Sequence, residues 1–431
     1  MKTIVRRSVA AVTFLGLLGL TLHAPQVRHL ERLADLLVVA PRRKTLAELA
    51  AQELDGVDAS NLADFFRISP WDPDHIHVRI CEWVFQYLKT HNGTCKLPIF
   101  LNIDDSLTNK DKGTRKLEAV DWFFDHKCQR TVKASNHVSL SISWGTYYFP
   151  LLERLYLRQA TVRKRNRHRS GQQRLRYVSK LKLARQLLEQ ISSLLPKGVP
   201  VYVMFDSWYR SAKLIRWIRQ QGWHVIAGIK SNRQLRAALP EQPPLSQTVS
   251  AWHRDLKRRR YAPVRLRLAN NMTRTYYVRA LDGRLRGVPG DVRLLISQKA
   301  PGAKAPRYLL CTDSTLSCQD ILQKYQGRWR IETDYWQVKM HLGLGDYRLQ
   351  SYEAIAKWYS VVYLVLTYLY WRKYEHDRQH GGTTSLSAIL QATRREHCEA
   401  CLRQACTEAA AGVPLEEVLT RYLGPQEEQA A

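Results

Sequence analysis

The sequence predicts a mixed α/β protein in which a helical region comes first and a β-rich segment interrupts the α/β part. Three observations carry this prediction. Residues 26–39 have apolar side chains at three- and four-residue spacing, which is typical of an amphipathic helix. Apolar runs at 98–103 and 199–205 end in acidic residues and have helical patterns around them, as in mixed α/β domains. Prolines punctuate alternating runs between residues 240 and 306, which favours strands there.

These changes of pattern divide the chain into five segments. The hydrophobic period becomes strand-like after about residue 92, and helical patterns return at Ser317. We expect a helical domain over 1–92, the first part of an α/β core over 93–232, a β-rich insertion over 233–312, the second part of the core over 313–380, and a helical C-terminal tail over 381–431.

Composition and charge narrow the class of protein. With 431 residues, of which 45% are hydrophobic and 24% charged, the chain can bury a large core and is not a disordered polymer. Lysine and arginine number 67 against 38 acidic residues. The net charge of +29 favours a polyanionic partner, which on this ground alone is DNA, RNA or an anionic lipid surface.

The cysteines predict a reducing compartment. The chain has eight, too few for a disulfide scaffold, so we expect free thiols in the cytoplasm. His397, Cys398, Cys401 and Cys406 lie close together in sequence. We interpret them as ordinary helix residues because no second CxxC or HxxxH completes a zinc pattern.

The first 24 residues allow two interpretations. Basic residues precede the apolar stretch 9–22, as in a secretory signal peptide, and export is the rival hypothesis. We favour a buried N-terminal helix, because this stretch is too short to span a bilayer comfortably and no mature-protein boundary follows it. The apolar, tyrosine-rich stretch 358–370 is likewise expected to be a core helix, and we predict no membrane partner.

Acidic residues end two of the apolar runs. Asp104 and Asp105 follow Ile103, and Asp206 follows the run 201–205. A carboxylate at the end of a buried strand is costly unless it is paired or binds a metal, so two such sites suggest a shared cation. The alternative is that each aspartate only caps a turn or helix.

A third acid lies in a helical pattern. Tyr325, Arg328, Glu332 and Lys339 have offsets of 0, 3, 7 and 14, which place them on one face of a single predicted helix. That face would carry an acid between phosphate-binding groups. The alternative is a solvated charged face with an i,i+4 pair of Arg328 and Glu332.

The pattern Tyr-x2-Arg-x3-Glu-x6-Lys at these four positions resembles the YREK signature of bacterial insertion-sequence transposases of the DDE class. Segments 104–106, 205–209 and 228–233 are similar to the blocks around that family's first and second aspartates. The resemblance runs from about residue 25 to 372. It implies an RNase H-like core, a mixed sheet flanked by helices, with a β-rich insertion and an all-helical N-terminal DNA-binding domain.

The resemblance also implies the site. Asp206 would be the second metal-binding acid and Glu332 the third. The first would be Asp104, with the adjacent Asp105 as the alternative. These carboxylates would hold two Mg²⁺ ions, which Mn²⁺ can replace, for cleavage at transposon ends and strand transfer into target DNA. Tyr325, Arg328 and Lys339 would hold phosphates.

The first implied partner is double-stranded DNA, which includes the terminal inverted repeats and the target. The second is another copy of the chain, in a dimer that holds the two transposon ends together. The expected place of action is the bacterial cytoplasm, in association with the nucleoid. Further DNA contacts are expected at Lys230 and in two basic regions, with solvated loops as the alternative for the latter. The predicted residues of those regions are Arg163, Lys164, Arg165, Arg258 and Arg259. The rival function is a catalytically inactive, transposase-derived DNA-binding protein.

Overall fold

The computed structural model describes residues 7–41, 43–54, 58–93, 96–257, 261–267, 272–300, 303 and 305–423. Arg258 and Arg259, two of the predicted DNA contacts, lie outside these ranges.

Within its described residues, the N-terminal region folds into five helices. They are α1 (Val9–Leu18), α2 (Ala24–Val39), α3 (Leu46–Ala50), α4 (Ala59–Arg67) and α5 (Pro73–Asn92). The Ser8 side chain caps α1 by accepting from the backbone N–H of Ala11. Phe14 of α1 is fully buried, and its ring centroid lies 5.2 Å from that of Trp83 and 5.6 Å from that of Tyr368. The apolar N-terminal stretch therefore packs as a core helix, as we expected.

The α/β core contains six strands and three helices. These are β1 (Ile99–Asn109), β2 (Val120–Asp125), β3 (Arg130–Trp144), β4 (Tyr147–Tyr156), α6 (Gln159–Arg165), α7 (Lys180–Ile191), β5 (Val201–Phe205), α8 (Ala212–Gln220) and β6 (His224–Gly228). Strands β4, β3 and β1 are antiparallel neighbours, and β5 and β6 continue the sheet in parallel with β1. Strand β5 is apolar and buried throughout, as a central parallel strand requires. This mixed sheet flanked by helices confirms the RNase H-like fold class.

The segment after β6 is rich in strands, as the proline-punctuated pattern indicates. It contains β7 (Gln234–Ala237), β8 (Leu245–Thr248), α9 (Val249–Lys257), β9 (Ala262–Arg267), β10 (Thr273–Leu285), β11 (Val292–Gln298) and β12 (Arg307–Cys311). Strand β12 pairs antiparallel with β6, and β11 and β10 follow in order. The inserted strands therefore extend the central sheet.

Helices return in the last part of the chain. They are α10 (Cys318–Gly327), α11 (Arg330–Met340), α12 (Tyr352–His380), α13 (Leu386–Ala410) and α14 (Leu415–Leu423). Helix α12 is buried over most of its length and packs on β4 and on the N-terminal helices α2 and α5. Its apolar, tyrosine-rich stretch is a core helix, as expected. Among the described residues, no helix is both long enough and apolar enough to cross a membrane.

The prediction of a single helix from Tyr325 to Lys339 is wrong. Arg328 and Trp329 form a turn between α10 and α11, so Tyr325 lies on one helix and Glu332 and Lys339 on the next. Gly327 immediately precedes the turn, and glycine is the least favourable helix residue after proline. The break leaves the Arg328 side chain buried instead of on an exposed helix face.

Candidate active site

Two parallel strands bring the first acids together. Strand β1 continues to Asn109, so Asp104 and Asp105 lie within the strand, contrary to the prediction that they end it. Ile103 of β1 is in register with Phe205 of β5, so Asp104 in β1 lies beside Asp206, which directly follows β5. Both line a groove of about 1060 Å³. The same groove is lined by the other acids and by two of the predicted phosphate-binding residues, namely Asp105, Glu332, Arg328 and Lys339.

Arg328 joins two of these acids. Its Nη1 donates to Asp104 Oδ2 at 2.8 Å, and its Nη2 donates to Glu332 Oε1 at 2.9 Å. Its Nε is buried and has no hydrogen-bond partner among the described residues. The i,i+4 pair of Arg328 and Glu332, which was the alternative interpretation, is therefore present. It lies inside a groove instead of on a solvated face, and Arg328 also bonds to Asp104 of β1.

Burial and neighbouring negative charge make Asp104, within β1, and Asp206, directly after β5, hard to ionise. Burial raises the pKa of Asp104 to about 7, with Arg328 opposing the change and Asp206 adding to it. Burial also raises the pKa of Asp206, whereas the backbone N–H of Trp208, 2.8 Å from Asp206 Oδ1, lowers it. Two neighbouring carboxyls of this kind are stabilised as anions when cationic charge is nearby.

Asp105 has a different set of partners from Asp104. Its Oδ1 accepts from the Tyr209 hydroxyl at 2.9 Å, and its Oδ2 accepts from Lys180 Nζ at 2.6 Å. Asn136 Nδ2 lies 3.4 Å from the same Oδ2. Both oxygens of Asp105 are thus engaged by neutral or cationic donors from three other parts of the chain.

The remaining signature residues contact β1 and the end of β5. The Tyr325 hydroxyl lies 3.5 Å from the backbone oxygen of Phe205. A Cβ at Gly228 would lie 3.1 Å from Ser207 N and 3.4 Å from the Tyr325 hydroxyl, so glycine permits this close approach. Lys339 Nζ donates to Ser106 Oγ at 2.6 Å. Burial lowers the pKa of Lys339 to about 8, and the charge of Lys127 adds to this.

Helix α11 is fixed in place by a buried network that the sequence did not reveal. Asp334 accepts from the Tyr148 hydroxyl at 2.5 Å and from the Tyr370 hydroxyl at 2.7 Å. The Tyr335 hydroxyl and Ser139 Oγ are 2.6 Å apart. Since these contacts join α11 to β3, β4 and α12, they set the position of Glu332 relative to the strand ends.

The predicted basic contacts have different surroundings. Arg163 and Lys164 on α6 and Lys230 after β6 are exposed. Arg165 is partly exposed, and its Nη2 donates to the backbone oxygen of Leu117 at 2.9 Å. This contact joins its guanidinium to the loop before β2.

Among the groove residues that were not selected from the sequence are Lys180, Trp208 and Tyr209. Trp208 and Tyr209 come two and three residues after Asp206, and this proximity was the available signal. Lys180 begins α7 and carries no signal of its own, because its pairing with Asp105 spans 75 residues.

The DDE superfamily endonuclease family model matches residues 17–286, more than half of the chain. This chain belongs to the DDE superfamily of endonucleases. The matched range includes Asp104 and Asp206 and ends before Glu332. A comparison with functionally characterised proteins gave no match.

Among solved structures, the fold is similar to that of the piggyBac transposase in a synaptic complex with hairpin DNA. The TM-score is 0.50 at 10% sequence identity, with 100% of this chain and 89% of that chain covered. At this identity the likeness concerns the fold alone.

Members of the DDE superfamily generally use divalent metals, and the donor chemistry of this groove fits them. Carboxylate oxygens are the hard ligands that Mg²⁺ and Mn²⁺ prefer. Within the described ranges, however, no three Asp, Glu, His or Cys side chains are spaced to hold a metal ion. Arg328 lies between Asp104 and Glu332 in this arrangement, so a shared cation requires its guanidinium to move.

The histidine and cysteine cluster on α13 shows no metal-site geometry within the described residues. His397 Nε2 lies 3.3 Å from Asp35 Oδ1, and Cys406 is exposed.

Proposed function

We propose that this DDE superfamily protein is an insertion-sequence transposase that cuts DNA at the ends of its own element and joins them to a target. The observation that carries the proposal is the convergence of Asp104, Asp206 and Glu332 on one groove, with Arg328 bonded to two of them. The exact Tyr-x2-Arg-x3-Glu-x6-Lys spacing supports the same assignment.

Asp104, Asp206 and Glu332 are the proposed ligands of two Mg²⁺ ions, which Mn²⁺ can replace. When bound, the ions lower the pKa of the attacking water and stabilise the leaving oxygen. Asp104 is favoured over Asp105 because, among the described residues, its one cationic partner is Arg328. Arg328 is the group that would move when a metal ion binds. Asp105, held by Lys180 and Tyr209, is assigned a positioning role.

Two exchanges at phosphorus make up the proposed reaction. In the first, a water oxygen bonds to phosphorus and the bond to the 3′ oxygen breaks, which leaves a 3′-hydroxyl on the element. In the second, that hydroxyl oxygen attacks a target phosphate and the target 3′ oxygen departs.

Basic side chains at the groove are proposed to hold the DNA backbone during these steps. Arg328, once released from the acids, offers a planar fork that matches phosphate oxygens, and Lys339 and the Tyr325 hydroxyl lie beside it. Lys230, Arg163, Lys164 and Arg165 would extend the contact along the backbone. Arg258 and Arg259 belong to the same proposal from sequence alone.

The proposed substrate is double-stranded DNA in the bacterial cytoplasm, read at terminal inverted repeats by the helical region 1–92. A homodimer is expected on paired ends, since strand transfer requires both ends to be held together. The net charge of +29 supports a phosphate-rich partner.

A nicking assay tests this function. The substrate is a duplex carrying the DNA that flanks the gene, incubated with Mg²⁺, Mn²⁺ or EDTA. We expect metal-dependent nicks at the element ends with the wild type, and none with Glu332→Gln, which should still bind DNA in a salt-sensitive way. Glu399→Gln is the matched control, because Glu399 pairs with Arg395 at i,i+4 and 2.9 Å on α13.

The assay separates the proposal from its rival. Salt-sensitive binding by the wild type without any metal-dependent nicking indicates an inactive DNA-binding descendant and contradicts the proposal. Nicking that survives Glu332→Gln contradicts the assignment of the third acid.

A further inference from the structure

The joint between α10 and α11, residues 328–332, is a short stretch of 3₁₀ backbone. Arg328 has φ −56° and ψ −28°, and Trp329 has φ −57° and ψ −19°, close to the usual 3₁₀ values. The backbone N–H groups of Arg328, Trp329, Ile331 and Glu332 each donate to the carbonyl oxygen three residues earlier, at 3.2, 3.0, 3.1 and 3.0 Å. In an α-helix the acceptor is four residues earlier. A 3₁₀ stretch between two α-helical stretches often marks a functional hinge.

Only a small change separates this joint from a continuous α-helix. Arg328 and Trp329 already have right-handed helical backbone angles. Each N–H of the joint would exchange its acceptor three residues earlier for the one four residues earlier. Gly327, which precedes the joint, presents no steric obstacle, since a Cβ there would have no described atom within 4 Å. The backbone is therefore compatible with two arrangements.

Two buried polar atoms at the joint lack partners in the observed arrangement. Gln326 Oε1 and Arg328 Nε are buried and have no hydrogen-bond partner among the described residues. A buried polar atom without a partner costs free energy, and such atoms are uncommon in native proteins. The observed arrangement is therefore not one that satisfies every polar group of the joint.

The same joint sets the position of Arg328. In the observed arrangement its guanidinium bonds to Asp104 and Glu332, so a metal ion cannot take those carboxylate oxygens until it leaves. In a continuous helix, at about 100° per residue, the offsets 0, 3 and 7 put Tyr325, Arg328 and Glu332 on one face. Arg328 would then present its fork to a phosphate group in the groove.

We propose that the α10–α11 joint is a two-state switch that couples metal binding to DNA binding. In the closed state, seen here, the 3₁₀ joint holds Arg328 on the acids. In the open state the joint is α-helical, Arg328 has left Asp104, and a divalent cation and a DNA phosphate each bind more tightly. The inference rests on the proposed cleavage function and adds its regulation. Because both ligands favour the open state, each strengthens the binding of the other.

Gly327→Ala tests the switch without altering a group that contacts either ligand. Gly327 ends α10 in the closed state and lies inside a helix in the open state, and alanine is favoured over glycine most strongly in a helix interior. We expect the variant to bind Mn²⁺ in the absence of DNA, and a short labelled duplex in EDTA, each about two- to fivefold more tightly. Electron paramagnetic resonance of free Mn²⁺ and fluorescence anisotropy measure the two affinities.

Gly16→Ala is the matched control. Gly16 lies within α1, and a Cβ there would also have no described atom within 4 Å. This substitution should change neither affinity, and thermal unfolding of both variants checks that they fold. The switch is overturned if Gly327→Ala leaves either affinity unchanged, or if Gly16→Ala raises them to the same extent.

A double substitution shows whether the joint acts through Arg328. Without this arginine the acids are open to metal in both states, so Gly327→Ala should not change the Mn²⁺ affinity of Arg328→Gln. The full two- to fivefold gain in that background contradicts the role of Arg328. These measurements involve binding alone, so unchanged affinities refute the switch and leave the cleavage function standing. Shifted affinities in a protein that never nicks DNA refute the cleavage function alone.

Discussion

Arg328 Nη1 lies 2.8 Å from the Asp104 carboxylate. Arg328 is buried and Asp104 is partly buried, and the same guanidinium bonds to Glu332 with its second terminal nitrogen. Without this cation, burial would leave Asp104 next to Asp206 with little to stabilise either negative charge. The arginine and a metal ion therefore compete for the same carboxylate oxygens.

This competition predicts an unusual effect of Arg328→Gln. At pH 8.5, above the pKa of about 7 that Asp104 has beside Arg328, the variant should bind Mn²⁺ about tenfold more tightly than the wild type, because about 1.4 kcal/mol of repulsion and competition is removed. Bound Mn²⁺ would replace the guanidinium as the cation that keeps Asp104 ionised. Its DNA cleavage should fall, since a phosphate contact is lost. Titration of free Mn²⁺ by electron paramagnetic resonance measures the affinity. Arg395→Gln, which breaks the i,i+4 pair on α13, is the control, and unchanged or weaker binding by Arg328→Gln contradicts the competition.

The adjacent aspartates should differ in the effect of amide substitution. Asp104→Asn should abolish detectable nicking, because it removes a proposed metal ligand. Asp105→Asn should reduce nicking by about 10- to 100-fold, the range for groups that orient metal ligands. The two variants are compared in the same nicking assay with circular dichroism as a check of folding. The opposite order would make Asp105 the first acid.

Tyr148→Phe should destabilise the protein. The change removes one of the two tyrosine hydroxyls that donate to the buried Asp334 carboxylate, so we expect the free energy of unfolding to fall by about 1–3 kcal/mol. Urea unfolding followed by circular dichroism measures this. Tyr177→Phe, on an exposed tyrosine, should change it by less than about 0.5 kcal/mol. Equal effects of the two substitutions would show that the network does not hold α11.

DNA affinity should weaken as the pH rises through 8. Burial lowers the pKa of Lys339 to about 8, and the protonated form binds phosphate, so the contact is present below this pH and is lost above it. The loss should reach about tenfold for one charge-assisted contact. Fluorescence anisotropy with a labelled duplex between pH 7 and 9.5 measures it. Lys339→Arg keeps its charge over this range, and a pH profile as steep as that of the wild type would exclude Lys339 as the titrating group.

The acids were predictable because their signals are local. Asp104 and Asp206 follow apolar runs, and those runs locate β5 and the first half of β1. Spacing in the chain likewise selected Glu332 together with Arg328. The strand content of the insertion could also be predicted, since prolines and alternating runs mark it.

Long-range pairing and helix continuity could not be predicted in the same way. The junction between β6 and β12 joins Gly228 to Leu309, and no periodic pattern specifies such a partner. The turn at Arg328 depends on a buried contact with a strand 224 residues away, which outweighed the helical pattern. For the same reason Lys180 was missed, because its partner Asp105 is 75 residues distant.

The most direct test of the account is the position of Mn²⁺ in crystals of the wild-type protein, located by its anomalous scattering. The account predicts manganese in the groove, in contact with Asp104, Asp206 and Glu332, and a guanidinium of Arg328 that has left the acids. Manganese bound elsewhere, or a groove that keeps the Arg328 pairs at saturating Mn²⁺ while the same protein nicks DNA, would contradict it.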